Sequence, residues 1–287
     1  MKYLQLLRPH QWYKNLVIFI GLVFSQNLFN IEYLIITSIG FIVLCSISGA
    51  NYIINDIVDL EKDRKHPVKK KRPIASGEIN KTNAVIFAVL LIIFSFSVSF
   101  WINFNFGLIV LSLFLLTQTY SFFLKKVCFL DVLLISMNFV LRAVAGAIII
   151  SVRVSPWLIM SCFFVALFLA LGKRKAELNL RINSSAQTRE SLRIYTKEII
   201  DTLIFIPLVM VLVCYTMYCI FVFPVTQILR DYFLFLTLPI ITFAIFRYVY
   251  LSNKGQLAET PDKILQDKQM LFAMILWVMI TVLFLYV

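Results

Sequence analysis

The chain has 287 residues, 61% of them hydrophobic and 15% charged, with a mean hydropathy of +0.88; a soluble domain runs near half apolar and a quarter charged. That composition excludes a water-soluble globular protein, and at about 20 residues per crossing it leaves no length for a large domain outside the membrane. The formal net charge of +12 is gathered into short polar stretches, which calls for anionic lipid or an anionic substrate and not for nucleic acid.

Five cysteines (Cys45, Cys128, Cys162, Cys214 and Cys219) lie in apolar runs without a C-x-x-C pair, so they read as packing residues rather than a disulfide framework or zinc site. With His10 and His66 the only histidines, a histidine triad or histidine-rich metal cluster is excluded by count, and a metal here would need oxygen ligands. Apolar runs predict nine membrane helices, at 16–29, 32–54, 83–102, 106–124, 130–151, 156–172, 199–223, 231–251 and 269–287. The first follows Lys2, Arg8 and Lys14 but has no small-residue cleavage site after it, and it is kept as a membrane helix rather than a signal peptide. With the N-terminus in the cytoplasm, 23 of the 27 Lys and Arg fall in inside segments, against Arg153 and Arg230 outside and Arg142 and Arg247 within spans. The expected fold is all-α and polytopic: one integral domain over residues 1–287, nine helices around a central cavity with a polar mouth.

The end of the second run, with its continuation NYIINDIVDLEKDRKHPVKKKRPIASG over 51–77, is where the sequence becomes specific. If the helix continues, Asn51, Asn55, Asp59 and Asp63 recur every four residues and form one stripe, with Asp56 three residues before Asp59. Carboxylates stacked on one helix face repel, so a cation should compensate them. Mg²⁺ held by Asn55, Asp56, Asp59 and Asp63 fits, and because Mg²⁺ typically bridges carboxylates to phosphate, a phosphorylated substrate is implied. The alternative is a solvated helix end whose acids pair with Lys62, Arg64 and Lys65. Downstream, Lys69 to Arg72 precede a Pro73 to Gly77 turn; Arg72, its backbone restricted by Pro73, is the favoured diphosphate contact, beside the plain topological role of a basic loop.

Later elements carry further candidates. Tyr120 and Lys125, in YSFFLKK at the end of the fourth span, either anchor the interface or, as the family resemblance named below implies, face a diphosphate; Lys14 has the same ambiguity. In the fifth span Asp131, Asn138 and Arg142 are spaced by seven and four residues, on one face of an apolar helix. An intramembrane arginine is costly, so Asn138 and Arg142 either face a polar substrate group, or Arg142 pairs internally with Asp131 or another acid. After the sixth span comes LGKRKAEL (171–178), in which Lys173 and Arg174 form a cationic cluster suited to a bare phosphate. The polar segment 184–197 is a candidate lid by position alone.

NDIVDLEKD with RPIASG, nine spans and YSFFLK resemble the UbiA-type intramembrane prenyltransferase superfamily over essentially the whole chain. The resemblance implies that Asn55, Asp59 and Asp63 match an N-x-x-x-D-x-x-x-D element binding Mg²⁺ and a prenyl diphosphate. It also implies a second aspartate-rich element after the sixth span, which LGKRKAEL replaces with cations. Together with RPHQWYKN at 8–15, the HPVKKKRPIASG run and MNFVLRAVAG at 137–146, that inversion resembles the decaprenyl-phosphate phosphoribosyltransferase branch. The branch implies transfer of phosphoribose from phosphoribosyl pyrophosphate to a polyprenyl phosphate at the cytoplasmic face of the cell membrane, with Asn55, Asp59 and Asp63 as the catalytic set. The rival expectation is ordinary prenyl transfer from a prenyl diphosphate to an aromatic or other small acceptor; transport along buried Asn138 and Arg142 is the rival from outside enzymes.

Overall fold

The structure, a computed structural model, describes residues 2–66, 68–183, 194–221, 234–253 and 267–286, with the side chains of Lys126 and 180–183 left aside. Among these residues every regular element is helical: α1 (Lys2–Leu6), a 3-10 stretch (Pro9–Ile18), α2 (Phe19–Phe24), α3 (Ile31–Val58), α4 (Leu60–Lys65), a 3-10 turn (Lys69–Lys71), α5 (Lys81–Ile102) and α6 (Phe104–Phe122). A second 3-10 turn (Leu124–Lys126) leads to α7 (Leu130–Ile149), followed by α8 (Pro156–Asn183), α9 (Lys197–Phe221), α10 (Leu238–Asn253) and α11 (Lys268–Tyr286). The chain divides into two compact units, Met1–Phe123 with Leu141–Arg153, and Leu124–Val140 with Val154–Val287; α7 gives its C-terminal half to the first and its N-terminal half to the second.

Local chemistry sets the starts of these helices. Asn30 accepts hydrogen bonds from the backbone N–H groups of Glu32 and Tyr33, and Asn103 does the same for Asn105 and Phe106, satisfying amides that have no partner inside the first turn. Pro156 opens α8, where a missing N–H costs nothing. Seven helices among the described residues are long and apolar enough to cross a bilayer: α3, α5, α6, α7, α8 through Asn179, α9 and α11. Helices α5 and α11 are apolar all round and expose most of that surface, as a lipid-facing helix does.

The expected first span, 16–29, takes a different form: a 3-10 stretch through Ile18 and then the six-residue α2. Its cause is polar. Asn15, 2% exposed, turns inward to Cys45 and Arg142, and the chain lies so close to α7 that a Cβ on Gly146 would fall 1.7 Å from the Ile18 carbonyl oxygen. The expected 231–251 span corresponds to α10, 16 residues long, with 222–233 outside the described residues.

In the first unit α3 packs against α5, α6 and the 3-10 stretch around Ile18, Leu22, Val43, Leu44, Phe106 and Val110. In the second, α8 packs along α9, and α10 against α9 and α11, around Val132, Phe168, Leu171, Ile200 and Tyr248. Burying such side chains is worth roughly 1.5–3 kcal/mol each in water; between helices in lipid, close packing replaces that driving force.

Candidate functional site

The polar end of α3 is the centre of the first unit's chemistry. Helical hydrogen bonding runs on past Val58, from Asp59 N–H to the Asn55 carbonyl at 2.9 Å and from Asp63 N–H to the Asp59 carbonyl at 2.8 Å. Asp59 itself, at φ −89° and ψ 10°, makes the joint between α3 and α4. The helical path expected over Asn51 to Asp63 therefore continues, and the polar side chains along it, Asp56 included, divide into two kinds.

Asp56 and Asp63 are 4% and 2% exposed and are held by arginine. Arg72 places Nη1 at 2.8 Å from Asp56 Oδ1 and at 2.6 Å from Asp63 Oδ2, and Arg8 places Nη2 at 2.6 Å from the same Asp56 oxygen. The Arg8 guanidinium also lies 4.9 Å above the Tyr52 ring. Two carboxylates and two guanidiniums thus form a neutral hub, with the arginines one-fifth to one-third exposed. Among the described residues the alternative pairing of these acids with Lys62, Arg64 or Lys65 does not appear; Arg64 pairs with Glu61 on the exposed side of α4.

Asn55 and Asp59 are half-buried and have no side-chain partner among the described residues. Their uncommitted oxygens are hard donors of the kind Mg²⁺ takes. No group of three or more acidic, Cys or His residues able to close on an ion occurs among the described residues, so an ion at Asn55 and Asp59 would complete its shell with water and substrate oxygens. The residues therefore fit Mg²⁺ bound together with a phosphate, and Asp56, expected as a ligand, is instead occupied with Arg8 and Arg72.

Behind the hub, Gln118 Nε2 donates to Asn51 Oδ1, which joins the C-terminal end of α6 to α3 and brings half-buried Tyr120, two residues on, to that end of the first unit. Arg142 Nε donates to Asn15 Oδ1 at 2.8 Å, and Asn15 Nδ2 reaches Cys45 Sγ at 3.2 Å. Lys14 donates to Gln11 at 3.2 Å and lies 5.8 Å from the Tyr13 ring. Sequence reasoning missed Arg8, Asn15 and Tyr52. The signal for Asn15 was a polar residue inside an apolar run, whereas nothing local ties Arg8 to an acid 48 residues away.

The expected cationic patch of the second unit is largely spent inside it. Arg174 is 1% exposed, with Nε 2.8 Å from Asp131 Oδ2 and Nη1 on Glu177. An arginine so enclosed and neutralised ties α8 to the start of α7, and this corrects the expectation that it meets a lipid phosphate. Lys175, 7% exposed, pairs with Asp201 at 2.6 Å and donates to Asn253 at 2.7 Å, joining α8 to α9 and α10. Lys173 is the exposed member of the cluster. Asp131 is also approached by the Tyr195 hydroxyl at 3.3 Å. Burial first, and the Asp131 charge second, push the Tyr195 phenol well above its usual value, so it stays protonated and can donate. Asp131, one of the acids considered as an alternative partner for Arg142, is held by Arg174. Asn138 lies in the second unit's half of α7, as does half-buried Lys125 in the turn before it. Residues 184–193, most of the candidate lid, lie outside the described residues.

With this geometry established, similarity to known proteins is informative. Residues 15–275 match the sequence profile of the UbiA prenyltransferase family. Decaprenyl-phosphate phosphoribosyltransferase of Mycobacterium tuberculosis is 29% identical over 276 residues, covering 95% of this chain and 90% of that protein. The enzyme of the same name from Mycolicibacterium smegmatis is 34% identical over 213 residues, 72% of this chain and 67% of the other. Among solved structures, a UbiA homolog from Archaeoglobus fulgidus bound to DMAPP and Mg²⁺ superposes with a TM-score of 0.72 over all of both chains at 17% identity, a likeness of fold.

Proposed function

Because the chain belongs to the UbiA prenyltransferase family and is an integral-membrane transferase, we propose that it moves 5-phosphoribose from phosphoribosyl pyrophosphate to a polyprenyl phosphate. The observation that carries this reading is the division of the α3 stripe: Asn55 and Asp59 uncommitted, beside Asp56 and Asp63 bound to Arg8 and Arg72. Such a site lacks the protein donors to hold a bare ion well and is suited to an ion that arrives with a diphosphate. The near full-length relative named for phosphoribosyl transfer supports this cargo over a prenyl group.

In this reading a polyprenyl phosphate oxygen, already ionised near neutral pH, attacks the anomeric carbon while the bond from that carbon to pyrophosphate breaks. Asn55 and Asp59 would hold Mg²⁺, with Asp63 held beside them by Arg72; as a Lewis acid the ion would stabilise charge on the departing pyrophosphate. Arg72 supplies further positive charge to the leaving group, and Tyr120 and Lys14 border it; Lys125, in the second unit, is a further candidate phosphate contact. Asn138 and Arg142 orient ribose or its phosphate. Lys173, the exposed cation of its cluster, receives the lipid phosphate. The whole chain acts as one transferase in the cell membrane, with nine crossings, a cytoplasmic N-terminus and the hub on the cytoplasmic side; the 3-10 and α2 stretch and α10 are the two short crossings.

The test is a paired assay on purified protein in lipid: labelled phosphoribosyl pyrophosphate with polyprenyl phosphate in one arm, a prenyl diphosphate with 4-hydroxybenzoate in the other. Magnesium-dependent label in lipid in the first arm is expected. Product in the second arm alone would reassign the chain to prenyl transfer.

A further inference from the structure

The geometry points to Arg8 as a positioning residue of the diphosphate site: by binding Asp56 it releases Arg72 to engage the diphosphate, and so separates the site's anion affinity from its metal affinity. This inference rests on the reading above that the hub receives a magnesium diphosphate.

Asp56 and Asp63 are buried acids with one guanidinium, that of Arg72, between them. Had Arg72 been alone, two negative charges would share a single positive one, and Arg72 would be pulled hard onto both carboxylates. Arg8 supplies the second positive charge on the same Asp56 oxygen, at 2.6 Å. The hub is then neutral, and Arg72, 29% exposed in its side chain, can exchange its Asp56 contact for a phosphate oxygen, since Asp56 keeps Arg8 and Asp63 keeps Arg72.

The chain goes to some cost to place Arg8 there. Its backbone sits at φ 50° and ψ 64° directly before Pro9, a left-handed conformation that a non-glycine residue adopts at about 1–2 kcal/mol and that a following proline disfavours further. Tyr52, one helical turn before Asp56, lies under the guanidinium and fixes its approach. Strain, ring and short ion pair converge on one side chain, which is how a preorganised site is built.

Opposite signs for two ligands make the inference testable. Arg8→Gln leaves the acid group one charge more negative, so it should weaken anion binding and leave cation binding intact or improved, whereas a variant that simply disrupts the fold weakens both. The probes are magnesium pyrophosphate and Mn²⁺ alone, titrated calorimetrically into the full chain in nanodiscs, with thermal unfolding as control. We expect Arg8→Gln to bind magnesium pyrophosphate about tenfold more weakly, as for loss of one charge-assisted contact, with Mn²⁺ bound at least as tightly as in the wild type. Arg8→Lys, which keeps the charge and loses the fork, should weaken pyrophosphate about threefold and answers the question if the glutamine variant does not fold. In an Asp56→Asn background, where the arginine has lost its partner, Arg8→Gln should cost under about threefold.

Wild-type pyrophosphate affinity in Arg8→Gln or Arg8→Lys, parallel loss of both probes, or an undiminished tenfold effect in the Asp56→Asn background overturns the inference while leaving the proposed transfer standing. Failure of the folded wild-type chain to bind magnesium pyrophosphate would instead remove the transfer reading and this inference together.

Discussion

At the scale of single residues, the structure separates acids that look alike in sequence. Asp59 has no protein partner among the described residues, so Asp59→Ala should leave the unfolding temperature within a degree or two and reduce magnesium-dependent turnover at least ~100-fold, as loss of a group acting on transition-state charge does; normal turnover would remove it from the site. Arg174 is the opposite case. Arg174→Ala strands Asp131 and Glu177 without their cation, and breaking such a buried pair costs about 3–5 kcal/mol. Thermal unfolding should show that loss, and a variant as stable as the wild type would return Arg174 to the substrate. The helical continuation through Asn55, Asp59 and Asp63 was legible because helical spacing is local. The assignment of Arg174 was not: the Lys173 to Lys175 triplet reads as a uniform patch, and only the fold shows Arg174 against an acid 43 residues earlier on α7 and Lys175 against Asp201 and Asn253.

At the scale of elements, helix existence followed from apolar runs, and the exception has a physical cause. A run of apolar residues from Leu16 onward predicts an α-helix, yet the buried Asn15 and the close approach at Gly146 favour a tighter 3-10 path. Gly146→Val should therefore drive the α7 backbone off the Ile18 carbonyl and destabilise the first unit by about 2–4 kcal/mol, more than ordinary overpacking; unchanged solubilisation yield and unfolding temperature would contradict that crossing. The α10 and α11 pair offers a pH test. Arg247 takes both Asp267 oxygens, at 3.1 and 2.7 Å, and Met270 N–H donates to the same carboxylate at 2.8 Å. The arginine contact first, and the backbone donor second, hold the Asp267 carboxyl below its usual range. A depressed folded-state value means stabilisation that is complete above the ordinary carboxylate pKa of about 3.9 and is lost as pH falls through the lower folded one. Unfolding temperature compared at pH 6 and pH 3 should fall less for Asp267→Asn than for the wild type, and equal falls would count against the clamp.

For the molecule as a whole, composition identified a membrane protein and the distribution of Lys and Arg gave its expected orientation. If the N-terminus is cytoplasmic, exposed Ser76 after the basic turn and exposed Arg153 after α7 face opposite compartments. In a cysteine-free chain, Ser76→Cys should be protected from a membrane-impermeant maleimide in intact cells and Arg153→Cys modified; the reverse pattern would invert the topology and move the hub outside. What composition could not supply was the division into two units, because contacts between α3, α5 and α6, or α8, α9 and α10, depend on side chains far apart in the sequence.

The tie between Asp131 and Arg174 bears on how the chain is made. Asp131 stands in the first turn of α7 and Arg174 in the C-terminal half of α8, and both are almost fully enclosed in the finished protein, where a charge without its partner is costly. Helices α7 and α8 are separated only by residues 150–155, short enough for the pair to be handed to lipid as a hairpin already neutralised. Pairing within one hairpin lets both charges leave water together, so that neither is enclosed uncompensated while the later helices join.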